Sequence, residues 1–215
     1  MDRHVLDAPP ERIQFDVSRG RLELLDTFTR TLDRAVLVDP GFLTSVFQAL
    51  LEHYQSAPTG VPQNLFYDFG VHWGETVYDD LQRRLSKSDG PAPRLEDFIK
   101  DEFVENLNNF FSYSGLGQFR ITEGNRFYMV DLKSSPFETL DTAIRSLAHT
   151  MIAGLFSGLL SKIAATAFHV VPIETDSGVR FILSTPGVIT EIRRLLDNGQ
   201  TFAEIARQFD NHHFV

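Results

Sequence analysis

The chemistry available to this 215-residue chain rests first on its imidazoles, and one of them sits in an unusual place. His149 lies inside the most apolar run of the sequence, Leu147–Leu160, on the same broad apolar face as Phe156 and Leu160. A histidine there is most often a hydrogen-bonded core residue. Its alternative role is a polar anchor or an axial ligand, because neutral imidazole is the usual metal-binding side chain. His72 stands at the edge of a stripe marked by Phe69 and Trp73, and the same two readings apply. His212 and His213 are adjacent and terminal, a position where chains fray more often than they bind. Asp80 falls near the middle of an apolar stripe, so its carboxylate needs a partner: Arg83, Arg84, a residue on another element or a second copy of the chain.

Glycine spacing adds a second signal. Gly70 and Gly74 lie four apart on one expected helix, and Gly154 and Gly158 four apart on another. A glycine inside a helix costs about 1 kcal/mol relative to alanine, so a packing reason is expected. Two outcomes follow. Either the helices approach closely, or the missing side chains leave room for a ligand between them. The second outcome predicts an apolar cavity bordered by Phe69, Trp73, Phe111, Tyr128, His149 and Phe156, with His72 beside it. Nineteen phenylalanines against one tryptophan and five tyrosines suit either a dense core or a lined cavity.

Composition removes several classes of function. The chain has no cysteine, which excludes disulfides, thiolate metal sites and a cysteine nucleophile. A formal net charge of −9 argues against nucleic acid as a partner. Thr201–Ala206 looks like the start of a helix-turn-helix, but no basic recognition helix follows. Gly115-Leu116-Gly117 is not a dinucleotide fingerprint: the third glycine position holds Arg120, and the glycines follow a helix and precede a strand. No GxxxxGK[ST], HExxH or GxSxG pattern occurs either. The polar, proline-bearing start MDRHVLDAPPER does not read as a signal peptide, and Leu147–Leu160 is too short and too polar to span a bilayer. The expected compartment is the cytoplasm, with peripheral membrane association as a variant.

The elements that must position these residues follow from periodicity. Residues 1 to about 20 read as an irregular arm with an extended piece at Arg12–Val17. Helices are predicted over Arg21–Val38, from Pro40 to about Tyr54, over Asn64–Leu85, and from about Leu95 to Tyr113. Strands follow at Gln118–Thr122 and Arg126–Leu132, flanking a turn at Glu123-Gly124-Asn125. A long helix over Phe137–Ala165 is apolar on most of its circumference, hence buried. A second hairpin pairs Ala167–Glu174 with Val179–Leu183, and helices at Gly187–Leu196 and Phe202–Phe209 end the chain. Two hairpins separated by one helix predict an α+β fold: a small antiparallel sheet packed with helices. The chain divides into an arm with two helices (1–60), a ligand-binding core (61–185) and C-terminal helices (186–215), all in one folded unit.

This order resembles a known family. Residues 65–183 are similar to the 4-vinyl reductase domain, a relative of heme-based nitric-oxide sensors and of small subunits of the vesicle-tethering transport particle. Tyr67-Asp68-Phe69-Gly70-Val71-His72-Trp73-Gly74 resembles the family's aromatic–glycine–tryptophan helix. Leu116-Gly117-Gln118-Phe119 resembles the entry to its first hairpin, and Asn125–Ser135 with Pro136 the second strand and its exit. His149–Leu160, with Ala153, Gly154 and Gly158, resembles its glycine-bearing long helix; Glu174 and Phe181 resemble landmarks of its last hairpin. Many members carry metal-binding cysteines around that hairpin; this chain has none there.

The resemblance implies a non-catalytic carrier, sensor or assembly factor for a hydrophobic small molecule. A chlorophyll-type tetrapyrrole is the first expected ligand and a fatty acyl chain the second. The alternatives are a tetrapyrrole vinyl reductase working with an external reductant, and a ligand-free module acting through dimerisation or a protein partner. A homodimer is expected from the pairing habits of related folds.

Overall fold

A computed structural model describes residues 13–16, 21–25, 32–35, 40–55, 64–85, 104, 107–108, 111, 116–133, 135–138, 140–175 and 178–211. Three short strands come first: β1 (Ile13–Asp16), β2 (Arg21–Leu25) and β3 (Leu32–Ala35). They form an antiparallel meander that pairs Ile13 with Leu24 and Leu22 with Ala35. This corrects the helix expected over Arg21–Val38. That expectation counted leucine spacings of three and four. The stronger signal was the period of two in Arg21-Leu22-Glu23-Leu24, beside a run of strand formers at Thr27, Phe28, Thr29 and Thr31.

Helices α1 (Pro40–Gln55) and α2 (Leu65–Leu85) stand where periodicity placed them. Of the helix expected over 95–113, the described positions 104, 107, 108 and 111 are helical. Strands β4 (Gln118–Glu123) and β5 (Tyr128–Lys133) form the first hairpin; β6 (His169–Thr175) and β7 (Gly178–Ser184) form the second. Between them runs helix α3 (Thr142–Ala164), and α4 (Pro186–Asp197) and α5 (Phe202–Asn211) close the chain. The two hairpins join through β5 and β7 into one antiparallel sheet of order β4-β5-β7-β6, so the fold is α+β as expected.

Helix α3 starts five residues later than its periodicity suggested. Ser135–Glu138 makes a self-satisfied turn instead: Ser135 Oγ accepts from the Phe137 N–H at 3.1 Å, and Glu138 Oε1 accepts from the Ser135 N–H at 3.1 Å. Asp141 then caps the helix, accepting from the Ala143 N–H at 2.9 Å. At the far end of α4 the chain turns at Gly199, with φ of 79°, the left-handed conformation that ends helices and favours glycine.

The sheet is covered on both faces, and strand alternation assigns each residue to a side. Val130, Phe119, Phe181 and Leu183 point to the inner face and join Phe66, Val77 and Leu81 of α2 and Ile152, Leu155 and Phe156 of α3. Ile182, with Phe127 just before β5, points to the outer face and joins Val188, Ile192, Ile205 and Phe209 of α4 and α5. On each edge strand one backbone N–H is satisfied by a side chain. The Val170 N–H on β6 donates to Tyr67 Oη at 3.1 Å, and the Phe119 N–H on β4 donates to Asn108 Oδ1 at 2.8 Å. Pro172 is tolerated in β6 because that strand is an edge.

Every residue of α3 from Met151 to Leu159 is buried. Among the described residues α3 alone has the length and apolar composition of a membrane span, yet 61% of its most apolar window is buried against the rest of the protein. That is how a core helix reads.

Candidate functional site

The site is built around His149, on α3, which is 2% exposed. Its Nδ1 lies 2.7 Å from Glu174 Oε1, on β6. Glu174 is 55% exposed at its side chain, so the pair joins core to surface. The other ring nitrogen, Nε2, is buried with no hydrogen-bond partner. Gln200 Oε1, in the half-buried turn between α4 and α5, is the other described atom of this kind. A buried polar atom left unpaired costs about 1–3 kcal/mol, so each one needs an explanation.

A cleft of about 410 Å³ opens beside this histidine. Leu132 and Val179 give it an apolar wall, while Glu138, Arg145 and Glu174 give it charge. The three charged groups are there for local reasons. Glu138 is fixed by the Ser135 turn. Arg145 lies one turn before His149 on α3 and reaches the Glu138 carbonyl at 3.4 Å. Glu174 stands near the end of the edge strand, paired in register with Val179.

Inward from the cleft the surroundings become aromatic. The His149 ring meets Phe181 edge-on, with centroids 6.3 Å apart. Phe181 contacts Phe156 at 5.5 Å, and Phe156 contacts both Phe111 at 5.4 Å and Phe119 at 5.0 Å. The two nitrogens of an imidazole face roughly opposite ways. Nδ1 is turned toward Glu174, and His149 is itself one of the residues that line the cleft.

Of the residues picked from sequence, His149, Phe111 and Phe156 belong to this connected group. Trp73 and Tyr128 are half-buried and pack against the inner core. Phe69 is 60% exposed, and His72 is exposed beside Glu75 at 3.6 Å, so neither joins the group. Asp80 is paired with Arg83 one turn along α2. His212 and His213 lie outside the described residues.

The gap expected between the glycines is closed. A Cβ on Gly70 would collide with the Met151 carbonyl, and one on Gly154 with the Tyr67 carbonyl. Gly74 and Gly158 meet the carbonyls of Leu155 and Val71 in the same way. The four glycines let α2 and α3 touch backbone to backbone, which is the packing outcome of the spacing. The cleft lies elsewhere, at the start of α3. Glu174 and Phe181 entered the sequence reading only as landmarks, and Glu138, Arg145 and Phe119 not as site residues at all. The Ser135-x-x-Glu138 pattern is a readable turn signal, but the meeting of positions 149 and 174 depends on tertiary register.

Among the described residues, no three histidine, aspartate or glutamate side chains cluster to hold a metal ion. No family model and no curated protein matches the chain. Solved structures do. The chain is similar to the phenol-responsive sensory domain of the transcription activator PoxR, crystallised with phenol. The identity is 12%, the TM-score 0.55, and the match covers 81% of this chain and 85% of that one. A weaker likeness, at 12% identity and TM-score 0.49, is to trafficking protein particle complex subunit 3 from Naegleria fowleri, covalently bound to palmitic acid. It covers 67% of this chain and 91% of that one. At this identity the first likeness is one of fold.

Proposed function

We propose that this chain is a non-catalytic binding module of the sensory type for a compact, mostly apolar molecule that places one polar group on His149 Nε2. One observation carries the reading: an imidazole nitrogen buried without a partner, on a histidine that lines a charged cleft and meets an aromatic core. The cleft itself is lined mostly by polar and charged side chains, with Leu132 and Val179 as its apolar wall, and the apolar surroundings are the rings packed inward of His149. A volume of 410 Å³ sits near the low end of the roughly 300–1,000 Å³ typical of small-molecule sites, which favours a small guest. The fold shared with a domain crystallised with phenol supports the same class of ligand.

A tetrapyrrole fits this reading poorly. The expected slot for a flat macrocycle lay between the sheet, α2 and α3, and the two helices are in backbone contact. A compact ring compound needs no such slot.

The test is a titration of the whole chain with phenol and with toluene. Melting temperature and the ¹⁵N resonances of His149 are followed together. Binding to the folded state raises stability by RT ln(1 + [L]/Kd), so a guest at about 100 times its Kd adds about 2.7 kcal/mol. Phenol is expected to raise the melting temperature and to move the Nε2 resonance more than Nδ1. If neither compound at millimolar concentration does either, the reading is wrong.

A further inference from the structure

We infer that the guest must donate a hydrogen bond to His149, so that its polar group is a neutral donor, an O–H or N–H, of which the hydroxyl is the simplest case, and that Glu174 sets this requirement as a positioning residue. The inference rests on the binding reading above and narrows it to a ligand class. An ionised carboxylate has only lone pairs to offer. At 2.7 Å from Glu174 Oε1, the proton in this contact therefore belongs to His149 Nδ1. In the neutral form of the ring, which carries a single proton, Nε2 is left with a lone pair. Nε2 is the atom that is buried without a partner. A hydroxyl satisfies it. An aldehyde, ketone or ether sets lone pair against lone pair and leaves the cost in place.

Charge narrows the class further. Of the charged groups lining the cleft, Glu138 and Glu174 are acidic and Arg145 is basic, two against one. A carboxylate guest entering past them is repelled on balance. An ammonium guest would be attracted at the mouth, but it would have to carry its charge to a ring that is 2% exposed, where an unpaired charge is strongly disfavoured. A neutral O–H donor meets neither obstacle.

The deciding comparison uses three probes of one ring and nearly one size: benzyl alcohol, benzaldehyde and benzoate. The full chain is expected to bind benzyl alcohol at least about tenfold tighter than either of the others, the effect of one satisfied against one unsatisfied buried group. In Glu174→Gln the amide can donate to Nδ1, which lets the ring proton move to Nε2. The preference for alcohol over aldehyde should then shrink to about threefold or less, a change that loss of packing alone would not produce. Histidine ¹⁵N shifts of the unliganded chain supply a second readout: the proton should be on Nδ1 in the parent and shared between the nitrogens in the variant. Equal binding of benzaldehyde or benzoate, or a proton on Nε2 in the parent, overturns the donor requirement while leaving the site in place. An unchanged alcohol-to-aldehyde ratio in Glu174→Gln removes Glu174 from its role. Failure of all three probes to bind, with the proton found on Nδ1, means that the binding reading itself has failed and the inference falls with it.

Discussion

The two faces of the β4–β7 sheet are covered by helices, but they are built by different rules. On the inner face α2 and α3 meet through their backbones, with glycines at each crossing point and nine consecutive buried residues on α3. On the outer face α4 and α5 dock through side chains. Ile189, Ile192, Ile205 and Phe209 bury themselves around Phe127 and Ile182. Arg126 and Arg180 lie over the rings of Phe209 and Phe202 at 5.4 and 5.3 Å, and Arg180 also grips Asp131 across the strand pair. Side-chain packing of the second kind can adjust to a change of shape. Backbone contact of the first kind cannot. The buried histidine with a free nitrogen belongs to the unyielding side. A rigid wall is the better place for a binding group, because it holds one geometry.

The largest effect that separates the faces comes from a single methyl group. Gly154→Ala or Gly74→Ala puts a Cβ into an opposing backbone carbonyl, so α2 and α3 must move apart along their length. A loss of about 4 kcal/mol or more is expected, or failure to fold, read by urea denaturation. On the outer side Gly187, in the first turn of α4, has nothing within 4 Å of an added Cβ. Gly187→Ala should leave stability unchanged or raise it by about 0.5 kcal/mol. Similar outcomes at the two positions would erase the distinction.

The next contrast asks whether the outer cover is independent of the site. Ile205, fully buried beneath α5, should cost about 2–5 kcal/mol when cut to alanine. Benzyl alcohol affinity, measured where the variant is still folded, should hardly change, because the removed atoms lie on the far side of the sheet from His149. A matching drop in affinity would mean that the two faces act as one unit.

His149→Phe reverses the usual sign. The substitution keeps a ring of similar shape and removes the unpaired Nε2, while Glu174 is exposed enough to turn to water. Stability should stay level or rise by about 1 kcal/mol while guest binding is lost. That pairing of gain and loss is expected where a group is kept for binding at a cost in stability. A loss above about 1 kcal/mol would make His149 a structural residue.

Much of this contrast was legible in the sequence, but unevenly. Phe127 and Met129 alternate in sequence with Tyr128 and Val130, and the structure puts the two sets on opposite faces, since strand period decides side-chain direction locally. His149 was singled out because an imidazole inside Leu147–Leu160 is unusual from composition alone. The glycine pairs were found, but spacing cannot say whether two helices close on each other or stand apart; that depends on what lies opposite. Glu174 was invisible as a site residue because its partner is 25 positions away and on another element. The N-terminal meander was missed because leucines at 22, 25 and 32 mimic a helical stripe, and the strand formers between them were underweighted.

The smallest effect belongs to the outer cover and tests whether its last helix is held by local chemistry. Thr201 and Glu204 form a capping box at the start of α5. The Thr201 backbone N–H and hydroxyl each donate to Glu204 Oε2 at 2.8 Å, and the Glu204 N–H returns to Thr201 Oγ at 3.4 Å. The bond from the Thr201 backbone N–H, followed by that from its hydroxyl, holds the Glu204 carboxyl below the usual glutamate range, with a lesser contribution from Arg207. A carboxyl lowered in the folded state binds protons more readily once unfolded. Its contribution is therefore complete above the ordinary glutamate range and disappears as pH falls through that range toward the lowered folded value. Glu204→Gln keeps an acceptor but loses the charge. Its melting temperature should lie slightly below the parent's near about pH 7, and the two should converge as pH falls below the lowered folded value, where both forms are neutral. The same scan on His149→Phe, which leaves the box intact, should keep the parent's Glu204-dependent slope. A deficit in Glu204→Gln that does not shrink on acidification would mean that the side chain's shape, not its charge, holds α5 in place.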